Sequence, residues 1–222
     1  MDSLIPRLYT LLFDFHGPQG WWPVGGSYFP KQEDPFEVTV GAILTQNTSW
    51  KNASTAIEAL RHCGMLSVHS MLNASLEQLA GTVKSSGYYN QKADRLKRVC
   101  LFLQQAGSSV PTREELLSIR GIGPETADSI LLYAYRIPVF VIDAYTRRIF
   151  SRIGVAHEHI SYDELQGLFM QNLRLDQKLF NEYHALIVKH AKEPCSKVPQ
   201  CWDCVVAQEE LCVFGRTTGK TS

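Results

Sequence analysis

The sequence lacks an excess of charge of either sign. Lys plus Arg and Asp plus Glu each number 22 in 222 residues, so the formal net charge is +0 at pH 7. No global field therefore attracts a nucleic acid or a membrane surface, and any such binding has to come from a local patch. Composition is that of an ordinary globular chain, with 45% hydrophobic and 20% charged residues, which excludes intrinsic disorder.

Long hydrophobic runs are also missing. No stretch is long enough to span a bilayer, and the N-terminus, with Asp2 and only short apolar runs, lacks the basic and hydrophobic regions of a secretory signal. We therefore expect a cytoplasmic protein with no membrane partner, in which cysteines stay reduced.

Strand patterns are almost absent, whereas the helical period recurs. Residues 137–142 form a single strand-like run, which is too short and isolated to build a sheet. Apolar residues occur at helical spacing in three segments: Ala53, Ala56, Ile57 and Leu60; Leu96, Val99, Cys100 and Leu103; Ala127, Ile130, Leu131 and Ala134. Helix starts are predicted at Asp34, Ser49, Ser75, Thr112 and Ser161, and stops at Gly64, Gly107 and Gly154. The sequence predicts an all-α fold.

Cysteine is scarce until the C-terminus. Only two of the six occur in the first 194 residues, and the other four are Cys195, Cys201, Cys204 and Cys212. In a reducing compartment such a group indicates a metal site before disulfides. The spacing C-x5-C-x2-C-x7-C contains one short pair, whereas structural zinc sites usually contain two. One loop with four thiolates suits a [4Fe-4S] cluster, whose four irons each need one ligand. The spacing favours a cluster, with zinc or unrelated thiols as alternatives.

Two glycines mark a turn between predicted helices. Gly121 and Gly123 are followed by Pro124, a residue favoured at the first position of a helix, and then by the small residues Thr126 and Ala127. Backbone N–H groups and a helix N-terminus that point outward together form a seat for a phosphate that is blind to base sequence. A plain glycine-rich turn is the alternative interpretation.

Four motifs occur in the order of a known family. They are residues 41–48 (GAILTQNT), 87–93 (GYYNQKA), 116–127 (LLSIRGIGPETA) and 141–143 (VID), and the four cysteines follow them. With these motifs the chain resembles, over most of its length, the helix-hairpin-helix DNA glycosylases of the endonuclease III superfamily. Its cysteine spacing departs from the family's common C-x6-C-x2-C-x5-C, but the gaps are loops, so we expect the cluster to persist.

The resemblance implies a bilobal fold with the substrate cleft between the lobes. Residues 33–137 would form the helical domain with the hairpin, and residues 1–32 with 138–222 would form a second helical lobe that carries the cluster loop, 195–212. The implied partner is double-stranded DNA that contains a damaged base, bound by a monomer in the cytoplasm of a bacterium or archaeon, in association with the nucleoid.

Six residues are expected to contact DNA: Gly121, Gly123, Thr126, Gln46, Tyr88 and Lys92. Gln46 and Tyr88 match the residues that the family inserts into the duplex when the damaged nucleotide leaves the stack. Lys92 lies in a locally basic stretch, residues 84–98, which would supply the attraction to phosphate that the net charge does not.

Asp143 directly precedes a predicted helix. An N-cap is the ordinary role of aspartate there. The resemblance implies that Asp143 is also the catalytic carboxylate. The two roles are compatible, because a carboxylate at a helix N-terminus stays ionised and can stabilise an oxocarbenium-like sugar or orient a water.

Glu125 indicates the type of chemistry. Bifunctional family members carry a Schiff-base lysine two residues after the second hairpin glycine, where this chain has Glu125, and no lysine occurs from residue 98 through 177. We therefore predict a monofunctional glycosylase with water as the nucleophile. The alternatives are a bifunctional glycosylase and apurinic-site lyase for oxidised pyrimidines, and a non-catalytic iron–sulfur DNA-binding module. Glu125 is either a solvated helix residue or part of the base pocket.

The aromatic residues favour a cationic base. Monofunctional chemistry suits a base that leaves readily, such as an alkylated purine, and Trp21, Trp22, Pro23 and Trp50 could stack on one. Core packing is the alternative for each tryptophan. The residues WWP, TQNTxW and GYYNQKA together with Glu125 resemble the bacterial 3-methyladenine DNA glycosylase branch of the superfamily.

Overall fold

A computed structural model describes residues 4–20 and 34–217. Within these ranges all regular secondary structure is helical, as predicted. Residues 137–142 form no strand. In chain order the α-helices are α1 (Leu4–His16), α2 (Pro35–Leu44), α3 (Trp50–His62), α4 (Val68–Asn73), α5 (Leu76–Thr82), α6 (Tyr89–Ala106), α7 (Arg113–Ser118), α8 (Pro124–Ser129), α9 (Ala144–Ile153), α10 (Tyr162–Asn172), α11 (Gln177–Lys192), α12 (Val205–Gln208) and α13 (Val213–Thr217). Two 3-10 turns, Lys84–Ser86 and Cys201–Asp203, and a π-helical turn, Ile130–Ala134, complete the list.

Tertiary contacts divide the chain into two compact units. One unit contains the described residues up to 20 and those from 138 onward, and the other contains residues 34–137. None of the helices that the structure describes combines the length and apolar character needed to cross a membrane.

The central unit, residues 34–137, is built around α2. All residues from Val38 to Leu44 are buried, and α2 packs against α3, α6 and the π-helical turn. The apolar faces of α3 and α6, which the helical spacing predicted, pack into this core. Ala56, Leu60 and Leu96 on these faces are almost completely buried. Residues 38–44 are almost wholly apolar because this part of α2 is enclosed on all sides.

The other unit has an aromatic core. α11 packs against α1 and α9, and the Phe140 and Phe169 rings stack with their centroids 3.9 Å apart. Tyr183 lies within this group, and its hydroxyl donates to the carbonyl of Ile5 at 2.9 Å. The buried phenol is therefore satisfied, and the bond joins α11 to the first helix of the chain.

Helix ends follow the sequence signals. All five predicted N-cap side chains accept a backbone N–H at the start of their helices: Asp34, Ser49, Ser75, Thr112 and Ser161. Gly107 and Gly154 follow α6 and α9 as their C-caps, and Gly64 directly follows the C-cap of α3. These predictions are confirmed.

The end of the hairpin differs from a regular α-helix. The apolar period predicts that α8 continues through Ala134, but residues Ile130–Ala134 form a π-helical turn in which the Tyr135 N–H donates to the Ile130 carbonyl at 3.3 Å. All five residues of the turn are buried. Apolar periodicity cannot distinguish a wide turn from an α-turn where every side is buried.

A buried ion pair joins the two helices of the hairpin. The Arg113 Nε donates to Asp128 Oδ1 at 2.7 Å and Nη2 donates to Oδ2 at 3.2 Å, while the Asp128 side chain is 0% exposed. The bidentate pair links the start of α7 to the end of α8 and so sets the geometry of the turn between them.

We expect Asp128→Ala to lower the free energy of unfolding by about 3 kcal/mol, because it leaves the Arg113 charge without its buried partner. The matched control is Asp94→Ala, which removes an exposed pair with Arg98 on α6 and should cost much less, because solvent screens exposed ion pairs. Urea unfolding followed by circular dichroism measures both. Equal losses in the two variants would contradict a special role for the buried pair.

Candidate functional site

The turn between α7 and α8 uses its two glycines differently. Gly121 has a φ of +96°, and a Cβ there would lie 2.6 Å from the Nε of Arg95, so only glycine fits. Gly123 is extended, and a Cβ there would meet nothing within 4 Å. Ile122 N–H donates to the Ile119 carbonyl at 3.0 Å, whereas among the described residues no such bond is donated by Gly121 or Gly123. The turn therefore presents backbone N–H groups beside the first turn of α8.

Gln46 lies in a polar network with this turn. Its Nε2 donates to Thr126 Oγ1 at 2.8 Å and to the Gly121 carbonyl at 3.2 Å, and its Oε1 accepts from Arg95 Nη1 at 2.5 Å. Thr126 is buried, so its hydroxyl holds Gln46 and is not presented to solvent. The three predicted DNA-contacting residues Gln46, Gly121 and Thr126 are thus brought together within the central unit.

Tyr88 is exposed and strained. The side chain is 63% exposed, and its backbone lies in the left-handed region with φ +44° at the residue before α6. This conformation costs a bulky residue of order 1 kcal/mol. An exposed aromatic ring held in a strained turn is a feature of ligand-contacting surfaces, and stacking on a base is one use of such a ring.

The prediction that Lys92 contacts DNA is wrong. Lys92 is 0% exposed, and its Nζ donates to the carbonyls of Leu44 at 2.8 Å and Ser86 at 2.6 Å. Lys97, on the same helix, similarly donates to the carbonyls of Leu72 and Ala74. Basic composition in residues 84–98 indicated exposed cations, but backbone acceptors on neighbouring elements draw these two ammonium groups inward.

Asp143 caps α9. Its Oδ1 accepts the Thr146 N–H at 2.7 Å and the Thr146 hydroxyl at 2.8 Å, and its side chain is 12% exposed. Burial by itself would raise the pKa of Asp143, but the interaction with His184 and the two bonds from Thr146 outweigh it, and the pKa lies below its ordinary value of 3.8. The carboxylate is therefore ionised at neutral pH.

His184 is a site residue that the sequence analysis missed. It lies on α11, and its Nε2 is 3.5 Å from Asp143 Oδ2, with only 7% of the imidazole exposed. No local motif connects the two, since they are 41 residues apart. A histidine on the inner face of a helix is typical of core packing, and its partner could not be identified from spacing.

Two of the predicted base-pocket residues, Glu125 and Trp50, lie within the described residues. Glu125 is exposed in the first turn of α8, and Trp50 is half-buried at the first position of α3. Trp21, Trp22 and Pro23 lie outside the described residues.

The four C-terminal cysteines are all buried, 5–8% exposed, on the segments after α11. Burial is the main cause that raises the pKa of the Cys204 thiol to about 11, and repulsion from Cys195 and Cys212 adds to it. Cys204 Sγ is also 3.3 Å from His190 Nε2, and the other nitrogen of that ring lies 3.0 Å from His16 Nε2.

Two arginines of α9, Arg148 and Arg152, donate hydrogen bonds to the backbone around Cys195. Arg152 Nη1 donates to the carbonyls of Cys195 at 3.2 Å and Ser196 at 2.6 Å, and lies 3.4 Å from Cys195 Sγ. Arg148 donates to the carbonyls of Ala191 and Cys195. Cys212 Sγ contacts the Arg152 carbonyl at 3.4 Å. The helix that Asp143 caps, α9, therefore contacts Cys195 and Cys212 near its C-terminal end.

The family model and the relatives that match this chain are all DNA repair proteins. Residues 40–174 match the HhH-GPD superfamily of base excision DNA repair proteins. A candidate DNA repair glycosylase of Methanocaldococcus jannaschii is 44% identical over 222 residues, covering 95% of this chain and 96% of its own. Endonuclease III of Thermotoga maritima is 28% identical and covers 86% of this chain and 88% of its own.

Solved structures share the fold. A trapped covalent complex of endonuclease III with DNA superposes with a TM-score of 0.84, at 20% identity, over 98% of both chains. The 3-methyladenine DNA glycosylase of H. pylori, bound to 1,N6-ethenoadenine, superposes with a TM-score of 0.69 at 29% identity, over 86% of this chain and 96% of its own.

We expect His184→Gln to raise the pKa of Asp143, because His184 is the largest of the influences that favour the carboxylate. Thr146→Val should raise it less, since the backbone N–H of residue 146 still donates to Oδ1. A carboxyl-carbon NMR titration measures both values.

The same change has a defined sign in stability. A folded-state pKa below the unfolded value gives stability that is present above about pH 4 and is lost as the pH falls through the folded-state pKa. His184→Gln should reduce the pH-dependent contribution of Asp143 to the free energy of unfolding. An unchanged pKa of Asp143 would show that the contact with His184 does not hold the carboxylate ionised.

Proposed function

The chain belongs to the HhH-GPD superfamily of base excision DNA repair proteins, and we propose that it is a monofunctional DNA glycosylase for alkylated purines. The observation that carries the proposal is Asp143, a largely buried carboxylate that Thr146 and His184 hold in its ionised form. Its partner would be double-stranded DNA that contains the damaged base.

In this proposal Asp143 acts on the sugar. Oδ1 is engaged by Thr146, so Oδ2, which faces His184, is the oxygen assigned to chemistry. As the bond between C1′ and the base nitrogen breaks, the base leaves with the bonding electrons and the carboxylate stabilises the positive charge that develops on the sugar. Water then bonds to C1′, and its proton passes to Asp143 or to solvent.

Glu125 supports the monofunctional assignment. A lysine attacks C1′ through its amine and forms an imine, which leads on to strand cleavage, whereas a carboxylate cannot form an imine. Glu125 occupies the second position of α8, where the resemblance implies that bifunctional relatives carry their lysine. Water is then the nucleophile that remains.

The substrate class is inferred from chemistry and similarity. Hydrolysis without a covalent intermediate favours a base whose positive charge already weakens the glycosidic bond. The 29% identity to a 3-methyladenine DNA glycosylase supports such a base. Trp50, Trp21 and Trp22 are proposed to stack on it through cation–π contact, and Pro23, which follows Trp22, would add apolar surface to the pocket.

DNA binding is proposed to centre on the turn between α7 and α8. The N–H groups of Gly121 and Gly123 suit a phosphate oxygen, and the open space beside Gly123 permits its close approach. Gln46 and Tyr88 would enter the space that the extruded nucleotide leaves.

We further propose that Cys195, Cys201, Cys204 and Cys212 bind a [4Fe-4S] cluster. The donor set fits, because all four thiols are buried on the segments after α11 and Arg152 Nη1 donates to Cys195 Sγ at 3.4 Å. Among the described residues, no group of three or more His, Cys, Asp and Glu side chains could hold one metal ion. The cysteine spacing favours a cluster over zinc, because it contains one short pair where structural zinc sites usually contain two, and each iron of a cluster takes one ligand. A bound cluster would cross-link the C-terminal segment.

Asp143→Asn should lower the rate of base release about 100-fold or more, because the amide carries no charge to stabilise the sugar cation. The measurement is release of methylpurines from methylated duplex DNA, scored for strand breaks before and after hot alkali. The parent protein should give breaks only after alkali. Binding of Asp143→Asn to the duplex should persist, since asparagine also caps helices.

Two outcomes would redirect the proposal. Strand breaks without alkali, or a covalent adduct trapped by borohydride, would establish lyase chemistry, and Glu125→Lys supplies a reference for such an adduct. Binding to damaged duplexes without base release from any lesion would favour a non-catalytic DNA-binding module.

Cys204→Ser should reduce bound iron and sulfide from about four of each per chain and lower the thermal unfolding midpoint, because metal–ligand bonds contribute to folding. Cys63→Ser is the control, since Cys63 is exposed and lies outside the C-terminal segment. Elemental analysis and calorimetry measure the two effects. A protein that purifies with one zinc ion per chain would overturn the cluster assignment.

A further inference from the structure

A single buried lysine joins the two turns that carry Gln46 and Tyr88. The Lys92 ammonium donates to the carbonyl of Leu44, the last residue of α2, and to that of Ser86, the last residue of the 3-10 turn. Gln46 and Tyr88 each follow two residues after these carbonyls. One Nζ atom therefore ties the two turns to each other.

Burial of this lysine has a cost that packing alone does not explain. Desolvation and then the nearby Arg95 charge lower the pKa of Lys92 to about 8. An apolar side chain would avoid that cost but would leave two buried carbonyls without a donor. The carbonyl at the C-terminus of α2 also carries the negative end of the helix dipole, which favours an ammonium.

The same face of α6 also holds the side chain of Gln46. Arg95, one turn after Lys92, donates to Gln46 Oε1 and lies over Gly121. Both turns enter the left-handed region at their tips, with φ +52° at Asn47 and φ +44° at Tyr88, and only the bulky Tyr88 is strained there. A strained, exposed Tyr88 next to backbone that a buried charge holds indicates a turn that is kept ready for contact.

We propose that Lys92 is a positioning residue that fixes the spacing of the Gln46 and Tyr88 turns so that both enter the DNA stack together. The inference rests on the proposed function, because it requires that these turns distort a duplex. Lys92 itself touches neither the DNA nor the reacting atoms. Its loss should impair the distortion of the duplex and leave the phosphate contacts of the α7–α8 turn in place.

The test uses the full-length protein and a duplex with a non-hydrolysable abasic-site analogue next to 2-aminopurine, whose fluorescence rises when it is unstacked. Lys92→Met should give a smaller rise at saturation and bind this duplex about tenfold more weakly, because the turns would have to be ordered on binding. Its affinity for undamaged duplex, which depends on phosphate contacts, should match that of the parent protein.

Lys97→Met is the matched control. Lys97 also lies on α6 and donates to two backbone carbonyls, those of Leu72 and Ala74, away from both turns. It should retain the full fluorescence rise even if its unfolding midpoint falls. If Lys92→Met does not fold, Lys92→Gln replaces it, because an amide can donate to one of the two carbonyls and should give an intermediate rise.

The outcomes separate this inference from the proposed function. A full fluorescence rise in Lys92→Met or Lys92→Gln would overturn the role of Lys92 and leave the glycosylase proposal intact. An equal loss in Lys97→Met would also overturn it. No rise with the parent protein would do the same, since there would be no distortion to position. A rise with the parent protein but no base release from any lesion would contradict only the glycosylase proposal.

Discussion

Helix ends leave backbone groups that the helix itself cannot pair, and this chain pairs several of them with charged side chains that are buried or half-buried. Its helices are mostly short, so such groups are numerous. Asp143 accepts an N–H at the start of α9, Lys92 donates to the last carbonyl of α2, and Arg148 donates to the Ala191 carbonyl near the end of α11. Each charge would be costly if it were buried alone, and each helix end would be unsatisfied without it. The positions where function is proposed are therefore also those that terminate helices.

Local features were predictable from the sequence, and long-range ones were not. The cap of α7 depends on Thr112 and Glu115, which are three residues apart, so the pattern contains all the participants. The environment of Lys92 depends on a carbonyl 48 residues away. Composition around Lys92 suggested an exposed cation, and only the fold shows that it is enclosed. The contact between His184 and Asp143 was not predicted either, because the fold brings together residues that are far apart in the sequence.

The turn between α7 and α8 shows a further limit. The Gly-x-Gly pattern predicted the turn, but it could not separate the two roles that glycine has there. Gly121 is required by its positive φ and by the Arg95 side chain packed on it, whereas Gly123 adopts an extended conformation that any residue can reach. Gly123 therefore provides space and does not relieve backbone strain, and its role depends on what approaches from solvent.

The charge at position 143 calls for an explanation beyond the helix cap. Asparagine, serine and aspartate cap helices comparably well, so the bonds to Thr146 do not by themselves require a carboxylate. A neutral cap would avoid the desolvation that opposes ionisation of Asp143. Instead, one oxygen serves the cap and the other faces His184, which offsets the cost of burial. A residue whose structural task needs no charge, yet which is held charged by its surroundings, is best explained by chemistry that uses the charge.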